Sequence, residues 1–103
     1  MYFAGKPYKI FFAALPASYT DRGVYGVTFE EVDEYHVFID PTPPPEVQKH
    51  ILKHELSHIV KNHFFRAWQP IEEQEIEAER CAYAMTDEGL QALINGAKCV
   101  KWL

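Results

Sequence analysis

The sequence has few cysteines, no long apolar run and no excess of basic residues. Its two cysteines, Cys81 and Cys99, are too few for a disulfide framework, so we interpret them as small buried side chains in a reducing compartment. No apolar run approaches the roughly 20 residues that a membrane-spanning helix needs. Residues 1–6 lack the layout of a signal peptide. We therefore expect a cytoplasmic protein without a membrane partner.

The charge balance is acidic, with 15 Asp and Glu against 10 Lys and Arg and a formal net charge of −5. The acids are clustered, mainly in residues 30–34 and 72–79. Nucleic-acid binders typically carry a basic patch or stripe, and none is present here. Direct binding of DNA or RNA is therefore not expected.

Length and patterning predict one α+β domain over residues 1–103, because 48% of the residues are hydrophobic and can form a modest core. Apolar and β-branched runs predict three strands, which we expect to form an antiparallel sheet: residues 8–14, 24–29 and 35–39. Helical spacing and capping residues predict three helices, over residues 44–65, 72–85 and 88–94. Residues 98–103 alternate in polarity and fit an extended tail docked on the domain.

Residues 54–58 read His-Glu-Leu-Ser-His, an H-E-x-x-H motif inside the first long predicted helix. Residues four apart lie on one helix face, so His54 and His58 can present two imidazoles to one point. Two neutral imidazoles suit Zn²⁺, and a catalytic zinc site adds a third protein ligand and a water. Glu55 lies beside that point and can take a proton from the water. The motif therefore predicts a zinc-dependent hydrolase, most simply a peptidase.

The third ligand is open on the residues alone. The branch of such enzymes with x-x-G-x-x-H after the motif is excluded, because position 61 is Lys and position 64 is Phe. His50 would place three ligands in a line along one helix. A second helix supplies five acids that could reach the metal: Glu72, Glu73, Glu75, Glu77 and Glu79. Glu75 and Glu79 share one face of that helix, and Glu77 lies nearly opposite, flanked by small residues that suit close helix packing.

The H-E-L-S-H-I-V segment, followed about twenty residues later by E-I-E-A-E-R-C-A, resembles the ImmA/IrrE metallopeptidases. The resemblance covers roughly residues 24–85. It implies a minimal zincin-like fold, with a small sheet packed on the active-site helix and on a second, ligand-bearing helix. It further implies a Zn²⁺ ion held by His54, His58 and Glu77, with Glu55 as the general base. Ser57 and Glu79 depart from the family pattern, which has Gly and Asn or Asp there.

The resemblance also implies a substrate class, because members of the family cleave repressor proteins in phage, mobile elements and stress responses. We therefore expect a regulatory endopeptidase acting on a protein or peptide. A zincin-like module that binds a protein partner without cleaving it is the alternative, and replacing Glu55 would separate the two.

Peptide hydrolysis also needs a group that stabilises the oxyanion. Candidates are Tyr19, Tyr25, His36 and His63, and we rank His36 first because it begins the third predicted strand. That strand, residues 35–39, is our candidate for a sheet edge that holds an extended substrate by strand addition.

Overall fold

The computed structural model describes residues 6–65 and 68–103, without the side chain of Phe65. The sequence-based expectation for the first five residues therefore falls outside the described range. The strands are β1 (Tyr8–Phe12), β2 (Gly26–Glu30), β3 (Tyr35–Ile39) and β4 (Cys99–Trp102). The helices are α1 (Ala17–Thr20), α2 (Pro45–Val60), α3 (Ile71–Ala84) and α4 (Asp87–Gly96), with a 3₁₀ turn at His63–Phe65. This is an α+β domain.

The sheet has four strands in the order β2-β3-β1-β4 and is mixed. β2 and β3 pair antiparallel, as the sequence predicts for a hairpin, but β1 pairs parallel with both β3 and β4. The expected three-stranded antiparallel sheet is therefore wrong in two respects. β1 is an internal strand, which fits its nearly continuous apolar sequence, and the predicted extended tail supplies the fourth strand.

α2 and α4 pack on one face of the sheet, and α3 packs against α2. Leu52, Leu56 and Ile59 of α2 are buried and form one core with side chains of β1 and β3. The strand residues of this core alternate along the chain and face the helices: Tyr8, Ile10, Tyr35, Val37 and Ile39. The core thus fixes the rotation of α2, so that the other sides of the helix face β2 and α3.

Small residues bring α3 close to α2. Ala78 and Ala82 are fully buried, as expected for the small-residue face of this helix. The first turn of α3 carries Glu72 and Glu73, acids that the positive end of the helix dipole favours. α3 therefore runs beside the H-E-x-x-H segment with its acidic residues near the imidazoles.

β2 also approaches α2 closely. A Cβ atom added at Gly26 would lie 2.4 Å from Ile51 Cγ2 and 3.1 Å from Glu55 Cγ. Glycine at this position is thus required for contact between the strand and the helix. Among the described residues, none of the helices combines the length and apolar character that crossing a membrane requires.

Candidate metal centre

His54 and His58 lie one turn apart on α2 and offer ligand atoms to one point, together with Glu55. These three residues form a group whose nitrogen and oxygen atoms lie within 4.8 Å of one another. The two rings are 5.0 Å apart and nearly perpendicular. The spacing predicted from the sequence is therefore confirmed for these three residues.

The carboxylate that meets both imidazoles belongs to Glu75 of α3. Its Oε1 lies 3.2 Å from His54 Nε2, and its Oε2 lies 3.0 Å from His58 Nε2. Glu77 lies two residues after Glu75 on α3 and contacts His63 instead, with 2.6 Å between Glu77 Oε1 and His63 Nε2. The choice of Glu77 as a direct ligand is corrected by this geometry, because the two acids leave α3 in different directions.

The second nitrogen of each imidazole is also occupied. His54 Nδ1 donates to Glu79 Oε1 at 2.8 Å, and the same oxygen lies 3.0 Å from His50 Nε2. His58 Nδ1 lies 2.9 Å from His63 Nδ1. Both rings are therefore held by partners on the far side, and both Nε2 atoms face Glu75. His50 contacts Glu79 and lies outside the group formed by His54, Glu55 and His58.

The surroundings shift the pKa values of the two histidines in opposite directions. Burial lowers the pKa of His58 to about 4, and the neighbouring His54 and His63 act in the same sense. Burial also lowers the pKa of His54, but its hydrogen bond to Glu79 and the charges of Glu55 and Glu75 raise it more, so its net shift is upward. The surroundings thus favour a positive charge on His54, whereas His58 supplies a neutral nitrogen.

Glu55 is held in a nearly buried position beside the imidazoles. It is 9% exposed, and its Oε1 accepts a hydrogen bond of 2.8 Å from Thr28 Oγ1 on β2. Burial raises the pKa of Glu55, and the Thr28 hydroxyl lowers it in part. A carboxylate with a raised pKa is a better proton acceptor near neutral pH, which is what a general base requires.

His36 lies away from the candidate centre. The buried residues of β3 alternate with it and face the helices, so the His36 side chain is on the opposite face of the sheet. There it contacts Glu34 at 2.6 Å and the ring of Phe11. The expected catalytic role of His36 is therefore contradicted. The choice of β3 as the sheet edge is wrong as well, because β3 lies between β2 and β1.

His63 is the functional residue that the sequence analysis undervalued. It is 4% exposed and connects His58 to Glu77. From sequence we considered it as one of four oxyanion candidates and ranked His36 above it. A signal was present, because Asn62 is a residue type that tolerates a positive φ after a helix, and it has φ 55° here. Such a turn reverses the chain and brings the next residue back to the helix.

Two clefts flank the group. One, of about 360 Å³, includes Tyr25, His54 and Glu75 in its lining, and the other, of about 340 Å³, includes Thr28, His58 and Glu75. Both are bordered by β2, which is an edge strand of the sheet. The imidazoles and Glu75 are therefore reachable from solvent along that edge.

No family model, curated protein or solved structure was found to match the chain. Membership of the ImmA/IrrE family therefore stays a prediction from the motif residues.

Proposed function

We propose that the protein is a zinc-dependent peptidase, with His54, His58 and Glu75 as metal ligands and Glu55 as the general base. The observation that carries this proposal is the convergence of two imidazole Nε2 atoms and one carboxylate at 3.0–3.2 Å. Two acidic residues and a third histidine hold the imidazoles from behind. A structural zinc site is closed by four protein ligands, whereas three ligands leave a position open for water.

The donor set fits zinc in type and in spacing. Zn–N and Zn–O distances near 2.0–2.1 Å with tetrahedral angles place neighbouring ligand atoms roughly 3.3 Å apart. The separations between Glu75 and the two imidazoles are close to that value. A histidine that binds zinc generally donates its other ring N–H to a carboxylate or similar acceptor, and Glu79 meets this condition for His54.

The proposed reaction is hydrolysis of a peptide bond. When bound, zinc would act as a Lewis acid toward the water and the scissile carbonyl. Glu55 takes the proton from the water and then gives it to the leaving amine. Thr28 keeps the Glu55 carboxylate oriented through the hydrogen bond to Oε1. Burial of Glu55 favours this role because it makes the carboxylate more basic.

The proposed substrate is an extended segment of a protein or peptide. β2 borders both clefts, and among the described residues it pairs with β3 alone, which leaves its other edge open. A peptide added along that edge gains main-chain hydrogen bonds and passes beside Glu55 and the imidazoles. A transcriptional repressor, which the ImmA/IrrE resemblance implies, is a substrate of this kind.

Removal of metal provides the test. We expect the purified protein to hold about one zinc per chain, measured by elemental mass spectrometry, and to cleave members of a proteome-derived peptide library. Chelation should abolish the new peptide ends, and one equivalent of zinc should restore them. Cleavage that persists without metal would contradict the proposal. Zinc binding without cleavage of any library or repressor protein would favour the alternative of a silent binding module.

The pH dependence provides a second test, through Thr28. The Thr28 hydroxyl lowers the pKa of Glu55, so in Thr28→Val that pKa should rise and the base should stay protonated to higher pH. A hydrogen bond to a charged group is worth about 1.5–3 kcal/mol, and one pKa unit is 1.36 kcal/mol. We therefore expect the acidic limb of the kcat/KM profile to move up by about one to two pH units.

Thr28→Ser retains the hydroxyl group and is the matched control, with an acidic limb near that of the wild type. An unchanged profile in Thr28→Val would show that Glu55 is not the group whose ionisation limits the rate.

A further inference from the structure

The segment after α2 carries a second histidine–acid pair that the proposed ligand set does not use. His63 begins the 3₁₀ turn and lies between His58 and Glu77, with contacts of 2.9 Å and 2.6 Å. Its ring centroid is 5.1 Å from that of His58. The described residues therefore contain a continuous series of polar contacts from Glu77 of α3 through His63 to His58, the second histidine of the motif.

Hydrogen-bond chemistry determines which atom donates and which accepts at each of these contacts. The carboxylate of Glu77 is an acceptor, so His63 Nε2 must carry the proton between them. A neutral imidazole then has a lone pair on its other nitrogen, so His63 Nδ1 accepts from His58 Nδ1–H. His58 is left with its lone pair on Nε2, the nitrogen that faces Glu75.

We propose that Glu77 and His63 form a positioning pair that fixes the tautomer and the rotation of His58 toward a metal ion. This inference rests on the proposed zinc site and extends it. Glu79 serves His54 directly, whereas the Nδ1 atom of His58 is linked to α3 through His63 and Glu77. The three alternate acids of α3 thus have separate roles: Glu75 faces the metal position, Glu79 supports His54, and Glu77 supports His58 through His63.

The backbone is shaped for this contact. α2 ends at Val60, the N–H of the capping residue Lys61 donates to Ser57 O, and Asn62 follows with φ 55°. The next residue is thereby turned back under the helix, where His63 becomes almost fully buried. A buried imidazole with both nitrogens engaged is oriented more firmly than an exposed one, and this suits a positioning role.

Zinc affinity separates positioning from simple packing. By competition with a chromophoric chelator, we expect His63→Leu to bind zinc about 10–100-fold more weakly than the wild type, the usual cost of losing an outer partner of a metal ligand. His63→Gln should lie much closer to the wild type, because its amide can donate to Glu77 and accept from His58. His36→Ala, which removes a histidine from the far face of the sheet, should bind zinc normally.

Wild-type affinity in His63→Leu would overturn the positioning pair and leave the peptidase proposal intact, since a packing role needs only an apolar side chain of similar size. Histidine ¹⁵N NMR of the zinc-loaded wild type gives a readout that needs no variant to fold. We expect a proton on His63 Nε2 and none on Nδ1, and a proton on Nδ1 would overturn the inference. Failure of the wild type to bind zinc would overturn both proposals, and zinc binding without cleavage only the peptidase.

Discussion

Glu75→Ala is expected to weaken zinc binding by more than 100-fold, the largest loss of any single acid on α3. Its carboxylate contacts both imidazole Nε2 atoms, so its removal deletes a direct ligand. An outer partner costs only about 10–100-fold when it is removed. Affinity measured by chelator competition, together with zinc content after gel filtration, checks this expectation.

The comparison with Glu77 makes this test sharp. Glu77→Ala removes only the acid that supports His63, so its loss of affinity should not exceed about 100-fold. Glu72→Ala, an exposed acid of the first turn of α3, should bind zinc like the wild type. The reverse order, with Glu77→Ala losing zinc and Glu75→Ala keeping it, would restore the ligand set that the family resemblance implies.

The choice between Glu75 and Glu77 shows where sequence reasoning reaches its limit. Spacing alone established that Glu75 and Glu79 share a face opposite to Glu77. Which face meets α2 depends on the rotation of α3, and that rotation is set by burial of Ala78 and Ala82 against α2. From sequence we interpreted the small residues as flanking Glu77, but Ala78 and Ala82 each lie three positions after Glu75 and Glu79 and therefore share the face of those two acids.

Local patterns predicted the elements well. β3 has the predicted bounds, and α2, α3 and α4 begin within one residue of their expected starts. Thr86 caps α4, since its hydroxyl accepts from Gly89 N–H at 2.9 Å. These features depend on neighbours within one or two turns, which a single sequence contains.

Long-range pairing was not predictable in the same way. β1 is parallel to β3 and to β4, and its pairing with β4 joins residues about 90 positions apart. No turn signal marks a parallel pair, because its strands are joined by a crossover instead of a hairpin. The edge strand was consequently misassigned, and with it the side of the sheet on which His36 lies.

The acidic surroundings of the imidazoles connect the fold to the proposed chemistry. Glu75 and Glu79 both approach His54, and they favour positive charge there, as the raised pKa of His54 shows. Metal binding requires that imidazoles lose their protons, so zinc would replace a proton at His54 Nε2. Zinc affinity should therefore fall on acidification, since a proton and zinc compete for His54 Nε2, where Glu75 and Glu79 favour a positive charge.

Glu55→Gln is expected to abolish most cleavage while zinc stays bound. General acid–base catalysis by a positioned side chain contributes about 10²–10⁴-fold, and an amide cannot accept the proton from water. The amide oxygen can still accept the hydrogen bond from Thr28, so the side chain should keep its place. Burial disfavours the charged form of Glu55, so the neutral variant should be at least as stable toward unfolding as the wild type.

Three measurements on Glu55→Gln make the result decisive: zinc content, thermal unfolding and cleavage of the peptide library. Glu88→Gln, an exposed acid at the start of α4, is the matched control and should behave as the wild type in all three. Full zinc content with a rate lowered at least 100-fold would assign the proton transfer to Glu55. An unchanged cleavage rate would show that Glu55 is not the general base. The buried acid beside the two imidazoles and the edge strand would then have no catalytic role.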